Sequence, residues 1–250
     1  MYGALTTYFP LGIKKYDPVE LAQIYEDAGV DVIEVGIPVT NPHLDGRLVR
    51  ETMEEALSVH TDLDWYLEQL NRIHNTCKKL TIDAFSYKEV YEEIGMRAYV
   101  KMLQDSGADC MMVPDITEEE KIDHYITHKD SFPLLEFLPF DAEDSYVEEQ
   151  SKIPFKGFIL QQATAGKTGM RDELEPDLEK VVRRAKKAFS QPVYVGFGIS
   201  KPEHTEAIMK MGADGVVIGS RVVDYVMNHS ENELSQMLRE YKQTLKIEEV

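Results

Sequence analysis

Cysteine is nearly absent from this 250-residue chain, which has only Cys77 and Cys110. Two thiols cannot build a disulfide framework, so both are expected to be reduced packing residues. Basic side chains are outnumbered, 27 Lys and Arg against 45 Asp and Glu, giving a formal net charge of −18. That field repels nucleic acid and anionic lipid, so neither is expected as a partner. No apolar run approaches the roughly 20 residues of a membrane span. The opening stretch Met1–Pro10 has no basic start and no sustained apolar centre, so no signal peptide is expected and a cytoplasmic location is. Low-complexity segments and composition breaks are lacking too, and residues 1–250 are expected to form one domain.

Against these absences stands a recurrent phrase. Ala28-Gly-Val-Asp-Val-Ile-Glu, Ser106-Gly-Ala-Asp-Cys-Met-Met and Met211-Gly-Ala-Asp-Gly-Val-Val share one grammar: a helix end, a Gly suited to the left-handed position, then Asp and an apolar strand. Their spacing holds whole numbers of strand–helix units of roughly 30 residues. Strands are expected near Ala4–Phe9, Val30–Val35, Leu80–Phe85, Cys110–Val113, Leu134–Leu138, Gly157–Gln162, Val193–Val195 and Gly215–Ile218. Helices are expected near Pro18–Ala28, Leu63–Lys78, Met96–Ser106, Glu118–Thr127, Tyr146–Ser151, Asp177–Phe189, Pro202–Met211 and Leu234–Leu245. Strands alternating with amphipathic helices give an α/β chain with a covered parallel sheet, and eight units in this length fit a single (β/α)8 TIM barrel. A doubly wound open sheet is the alternative.

In a barrel the chemistry belongs at the C-terminal ends of the strands. Strand two carries a carboxylate, Glu34, inside the apolar run Val30–Ile37, where an unpaired charge is expensive to bury. Ile33, Val35 and Ile37 share one face; if that face meets helices, Glu34 points into the middle of the sheet. The Asn41-Pro42 turn then returns a second acid, Asp45. Two acids in unequal environments suit proton transfer. A strand-end acid paired with Arg or Lys, and a turn former before Gly46, is the plain alternative. Late in the chain come Ala165-Gly-Lys-Thr-Gly169, Gly196-Phe-Gly-Ile-Ser200 and Gly219-Ser220, the last opening onto a helix from Arg221. Glycines admit a ligand close to the backbone, and helix N-termini attract anions, so these loops suit a phosphate.

Other signals fail. Gly166-Lys-Thr168 lacks the earlier glycine of a P-loop, which would fall at Gln161, and Gly196-Phe-Gly198 lacks the third glycine of a dinucleotide fingerprint, at Lys201. His124 and His128 share a helix face without a third ligand, so solvated surface is expected there and no metal site. No strand offers a lysine for imine chemistry, Lys156 standing at the wrong end of its strand. Carboxylate acid–base catalysis on a phosphorylated small molecule remains. Tyr87 is placed to supply a phenol or a stacking face, Asp115 to fix loops, and Thr168 to hydrogen-bond Asp45. Tyr91 and Trp65 are expected to pack. Glu118–Glu120 and Glu173–Asp177 are expected helix starts.

The residues Asp31–Pro38, Asn41–Gly46, Met112–Asp115, Ala165–Gly169, Gly196–Ser200 and Gly212–Ser220 together make the chain resemble the tryptophan synthase alpha subunit family, over nearly its whole length and in the family's order. The resemblance implies a barrel lyase that cleaves indole-3-glycerol phosphate to indole and glyceraldehyde 3-phosphate. It implies Glu34 as acid–base residue and Asp45 as acceptor of the indole N–H, with Tyr87 completing the catalytic set. Gly169, Gly198, Gly219 and Ser220 would hold the phosphate, Phe197 would line the pocket, and Thr168 and Asp115 would support the loops. It also implies a beta-subunit partner carrying pyridoxal phosphate, and no cofactor on this chain. The chain departs from the family at Asn41 and Arg47 of the second loop, where acid and Pro are usual; with the acid replaced by Asn41, beta-subunit contact is expected to be weakened or altered. Leu160 stands where a Tyr is usual and Thr164 where an Arg is. The helix that commonly precedes strand one is missing, which leaves one barrel end less covered. A stand-alone aldolase or isomerase on another phosphorylated compound, or a non-catalytic regulatory subunit, stays open as an alternative.

Overall fold

The recurrent Asp phrase turns out to be a strand clamp. In the computed structural model, which describes residues 2–127 and 131–246, the strands are β1 (Ala4–Pro10), β2 (Val32–Gly36), β3 (Thr81–Phe85), β4 (Cys110–Met112), β5 (Glu136–Leu138), β6 (Ile159–Gln162), β7 (Val193–Gly196) and β8 (Gly215–Ile218). Asp31 accepts the Leu5 N–H at 2.7 Å, Asp109 the Ile82 N–H at 2.8 Å and Asp214 the Val193 N–H at 2.7 Å. Each Asp also donates its own N–H to the carbonyl of the same residue. The carboxylate thus occupies a backbone donor at the start of the adjacent strand that would otherwise need a partner. The preceding glycines supply the return: Gly29, Gly107 and Gly212 have φ of 88°, 86° and 100°, a region costly for other residues.

Among the described residues the named strands all pair in parallel, in the order β4-β3-β2-β1-β8-β7-β6-β5. The ring closes through Met111, whose N–H donates to Pro133 O and whose carbonyl accepts from Leu135, both at 2.9 Å. That closure makes a barrel and overturns the open-sheet alternative. The helices are α1 (Pro18–Ala28), α2 (Arg47–Leu57), α3 (Leu63–Thr76), α4 (Met96–Ser106), α5 (Glu118–Ile122), α6 (Asp144–Gln150), α7 (Leu178–Ala188), α8 (Pro202–Lys210), α9 (Ser220–Asn228) and α10 (Glu231–Thr244). The sequence reading passed over α2, whose buried Val49, Thr52, Met53 and Ala56 follow helical spacing. The helix expected over Glu118–Thr127 ends at Ile122 and continues as a π-turn. Its start carries a full capping box between Thr117 and Glu120.

Strand alternation divides the core. Phe9, Ile33, Val35, Ile82 and Ala84 pack outward under the helices, whereas Tyr8, Val32, Phe85, Met112, Leu160 and Val217 fill the barrel. Burying a side chain such as Ile33 fully contributes about 1.5–3 kcal/mol. Both cysteines are buried and free. Among the described residues no helix is long and apolar enough to cross a membrane. His124 is not on the solvated surface as the sequence suggested: it is buried, with Nε2 2.8 Å from Phe132 O, while His128 lies outside the described residues. Tyr91 is buried against Tyr99, and Trp65 is half-buried, stacked on His60, at the edge of the outer core.

Candidate active site

The inward phase of β2 carries Glu34 to the C-terminal mouth of the barrel, in register with Tyr8 on β1 and Asp83 on β3. It is 6 % exposed, and its Oε1 has no hydrogen-bond partner among the described residues. Burial first, then the nearby Asp83 and Asp45, raise its carboxyl well above the ordinary range. Asp45 sits on the loop after β2. Its Oδ2 accepts from the Tyr87 hydroxyl at 2.8 Å and its Oδ1 from the Thr168 hydroxyl at 3.2 Å. Burial lifts Asp45 to about 6, against the pull of those two bonds and of His43 and Lys167. Burial thus favours the protonated, proton-donating form of Glu34, whereas Asp45, at about 6, is mostly ionised at neutral pH.

One cavity joins these acids to the late glycine loops. Its empty volume is about 600 Å³, part of it open to solvent. Glu34, Asp45, Thr168, Gly169, Phe197, Gly198, Gly219 and Ser220, all singled out from sequence, line it. Among the described residues no Lys, Arg or His does so. Ser220 is the first residue of α9, so amide hydrogens without intrahelical acceptors face this end of the cavity. Phe197 holds φ of 71° between two glycines, which turns its ring onto Phe137 with centroids 5.4 Å apart. An anion would rest on backbone here, and an aromatic ring between apolar walls.

Two expected residues stand elsewhere. Tyr87 lies behind Asp45 rather than on the cavity wall, its hydroxyl donating to that carboxylate. Asp115 accepts the Lys88 N–H at 3.0 Å and lines a neighbouring cavity with Lys121, Glu136 and Tyr146. Leu160 and Thr164, where the chain departs from the family pattern, are both buried. Leu160 adds an apolar surface to the cavity, and Thr164 donates to Glu175 at 2.7 Å. Exposed Asn41 and Thr40 donate their backbone N–H groups to Glu89. The sequence reading missed Tyr8, Phe85, Phe137 and Val49 as lining residues. For Tyr8, counting alternate residues along β1 would have found it.

The loops after β2 and β6 are latched together. The Gly46 N–H donates to Thr168 Oγ1 at 2.8 Å and the Thr168 N–H to Leu44 O at 2.9 Å. Thr168→Val is expected to move the Asp45 midpoint upward from about 6, by roughly one pH unit, the equivalent of one hydrogen bond. Carboxyl ¹³C NMR reads this directly; an unmoved midpoint would show that the hydroxyl contributes nothing.

The family model that matches, over residues 2–250, is described as "Tryptophan synthase alpha chain". A curated relative of that name from Halalkalibacterium halodurans is 31% identical over 218 residues, covering 87% of this chain and 81% of its own length. Another, from Staphylococcus aureus strain MRSA252, is 25% identical over 240 residues and covers 95% and 98%. A solved chain from Aquifex aeolicus VF5 superposes with a TM-score of 0.87 at 22% identity, covering 98% of this chain and 94% of that one. A Mycobacterium tuberculosis tryptophan synthase structure gives 0.83 at 22% identity, covering 98% and 93%. The solved structures establish a shared fold.

Proposed function

The chain belongs to the tryptophan synthase alpha chain family, and from that membership we propose how its acids divide the work of cleaving indole-3-glycerol phosphate. The protein is a lyase of tryptophan biosynthesis, releasing indole and glyceraldehyde 3-phosphate. What supports the assignment of roles is one observation: Glu34, whose burial favours its protonated form, and Asp45, held by two hydroxyl donors, share a cavity whose far side is built of glycines and a helix N-terminus. Glu34 gives its proton to the ring carbon C3 while Asp45 accepts the ring N–H and offsets the positive charge of the indolenine. The Glu34 carboxylate then takes the proton of the glycerol hydroxyl. The carbon–carbon electron pair returns to the ring, indole forms, and the carbinol becomes the aldehyde. Gly169, Gly198, Gly219 and Ser220 hold the phosphate on main-chain amides, Phe197 flanks the ring, and Tyr87 and Thr168 hold Asp45. Indole then passes to a beta-type partner subunit, with Asn41 altering the contact.

Incubation with indole-3-glycerol phosphate, with and without a beta subunit, is expected to release indole in both cases. The rate with pH is expected to be bell-shaped. It should fall on the acid side as Asp45 takes up a proton near pH 6, and on the alkaline side as Glu34 loses one. Absence of indole under both conditions would overturn the function, and a rate flat between pH 5 and 7 would overturn the role of Asp45.

A further inference from the structure

We propose that Asp83 is a positioning residue for the cleavage: its carboxyl, held beside Glu34 inside the barrel, donates a hydrogen bond to the Glu34 carboxylate formed when the ring carbon is protonated. The consequence for turnover rests on the function above, whereas the pairing rests on geometry.

Asp83 is the register partner of Glu34 on the adjacent parallel strand. Both point inward, because the residues flanking Asp83, Ile82 and Ala84, belong to the outer core and Phe85 to the inner one. Asp83 is fully buried, and neither of its oxygens has a hydrogen-bond donor among the described residues beyond the weak thiol of Cys110. Near the pair are Tyr8 from β1, Asp45 from the loop after β2, Cys110 from β4 and, on the outer side of the sheet, Tyr99 from α4. None is a cation.

Two buried carboxylates without a cation or a strong donor cannot both stay ionised. The pair must hold protons, and burial accordingly pushes Asp83 up to about 8. Below about pH 8 Asp83 holds its proton, and burial beside it favours the protonated form of Glu34. When Glu34 gives its proton to the ring, the Asp83 O–H is the donor at hand for the new carboxylate. Glu34 recovers a proton from the glycerol hydroxyl, so Asp83 keeps its own throughout and the pair ends each cycle as it began.

Asp83→Asn keeps a donor and removes the charge; Asp83→Val removes both. The expected order of kcat is wild type, then Asn, then Val. Val should lie about 10–100-fold below wild type, as expected for a lost hydrogen bond to a charged group, with KM little changed. A purely structural role predicts the reverse order, since Val satisfies a buried apolar site better than an amide does. In ligand-free protein, ¹³C NMR of the Glu34 carboxyl, assigned by its loss in Glu34→Gln, should show a lower midpoint in Asp83→Asn, where the neighbouring charge is gone. Equal kcat for Asn and Val, or a Glu34 midpoint unmoved by Asp83→Asn, would overturn the proposal. A wild type that releases no indole would count against the function instead, leaving the NMR titration to decide the pair.

Discussion

Glu34→Gln is expected to lower indole release by about 10²–10⁴-fold, the range contributed by a positioned acid–base group, while binding of the phosphate ester survives. The substitution keeps the volume and shape of a buried side chain that makes no hydrogen bond through Oε1. An amide cannot protonate an aromatic carbon, nor take a proton from an alcohol. The end of the cavity proposed to hold the phosphate, at Gly198, Gly219 and Ser220, is built on other strands and stays as it was. Indole release and calorimetric binding of indole-3-glycerol phosphate, measured on the same preparation, separate the two effects. Turnover equal to wild type would remove Glu34 from the mechanism; loss of binding along with turnover would mean that the cavity had collapsed.

The second large effect concerns stability. Lys121 on α5 is 5 % exposed, with Nζ 2.8 Å from Glu136 Oε2, 3.0 Å from Oε1 and 2.9 Å from Gln150 Oε1. This cluster ties α5 and α6 to β5, the strand joined to β4 through Met111. Lys121→Ala leaves a fully buried Glu136 without its cation and is expected to cost roughly 3–5 kcal/mol. Burial already raises Glu136 to about 7 against the pull of Lys121, and without the lysine it rises further. A carboxyl whose folded pKa exceeds its unfolded one stabilises below the unfolded value, and that stability is lost as pH climbs through the folded value. The deficit in urea or thermal unfolding should therefore be larger at pH 8 than at pH 5. Lys121→Met combined with Glu136→Leu should recover much of it. A single variant as stable as wild type at pH 8 would show that the pair contributes nothing.

Much of this was readable in the chain itself, because periodicity and punctuation are local signals. The Gly–x–Asp phrases located three helix-to-strand returns, although their deeper reason, the Asp clamp on a neighbouring strand, needed the register between strands. Glu34 was visible as an acid inside an apolar run. Asp83, in Thr81-Ile-Asp-Ala-Phe85, satisfies the same criterion, but only the pairing of β3 with β2 sets it beside Glu34. The helix α2 was hidden by its charge, since Arg47, Arg50, Glu51, Glu54 and Glu55 interrupt its apolar positions. Which side of Asp45 Tyr87 would occupy depended on how two loops fold back, and no spacing encodes that.

Gly46 shows what such folding back imposes. Its φ of −78° and ψ of 178° suit any amino acid, so the backbone makes no demand for glycine there. The demand comes from 122 positions away: the Thr168 carbonyl oxygen lies 2.1 Å from where a β-carbon would begin. What evolution may write at position 46 is thus dictated by the loop after β6, and tolerance of alanine at that site would report how much of the time the two loops spend apart.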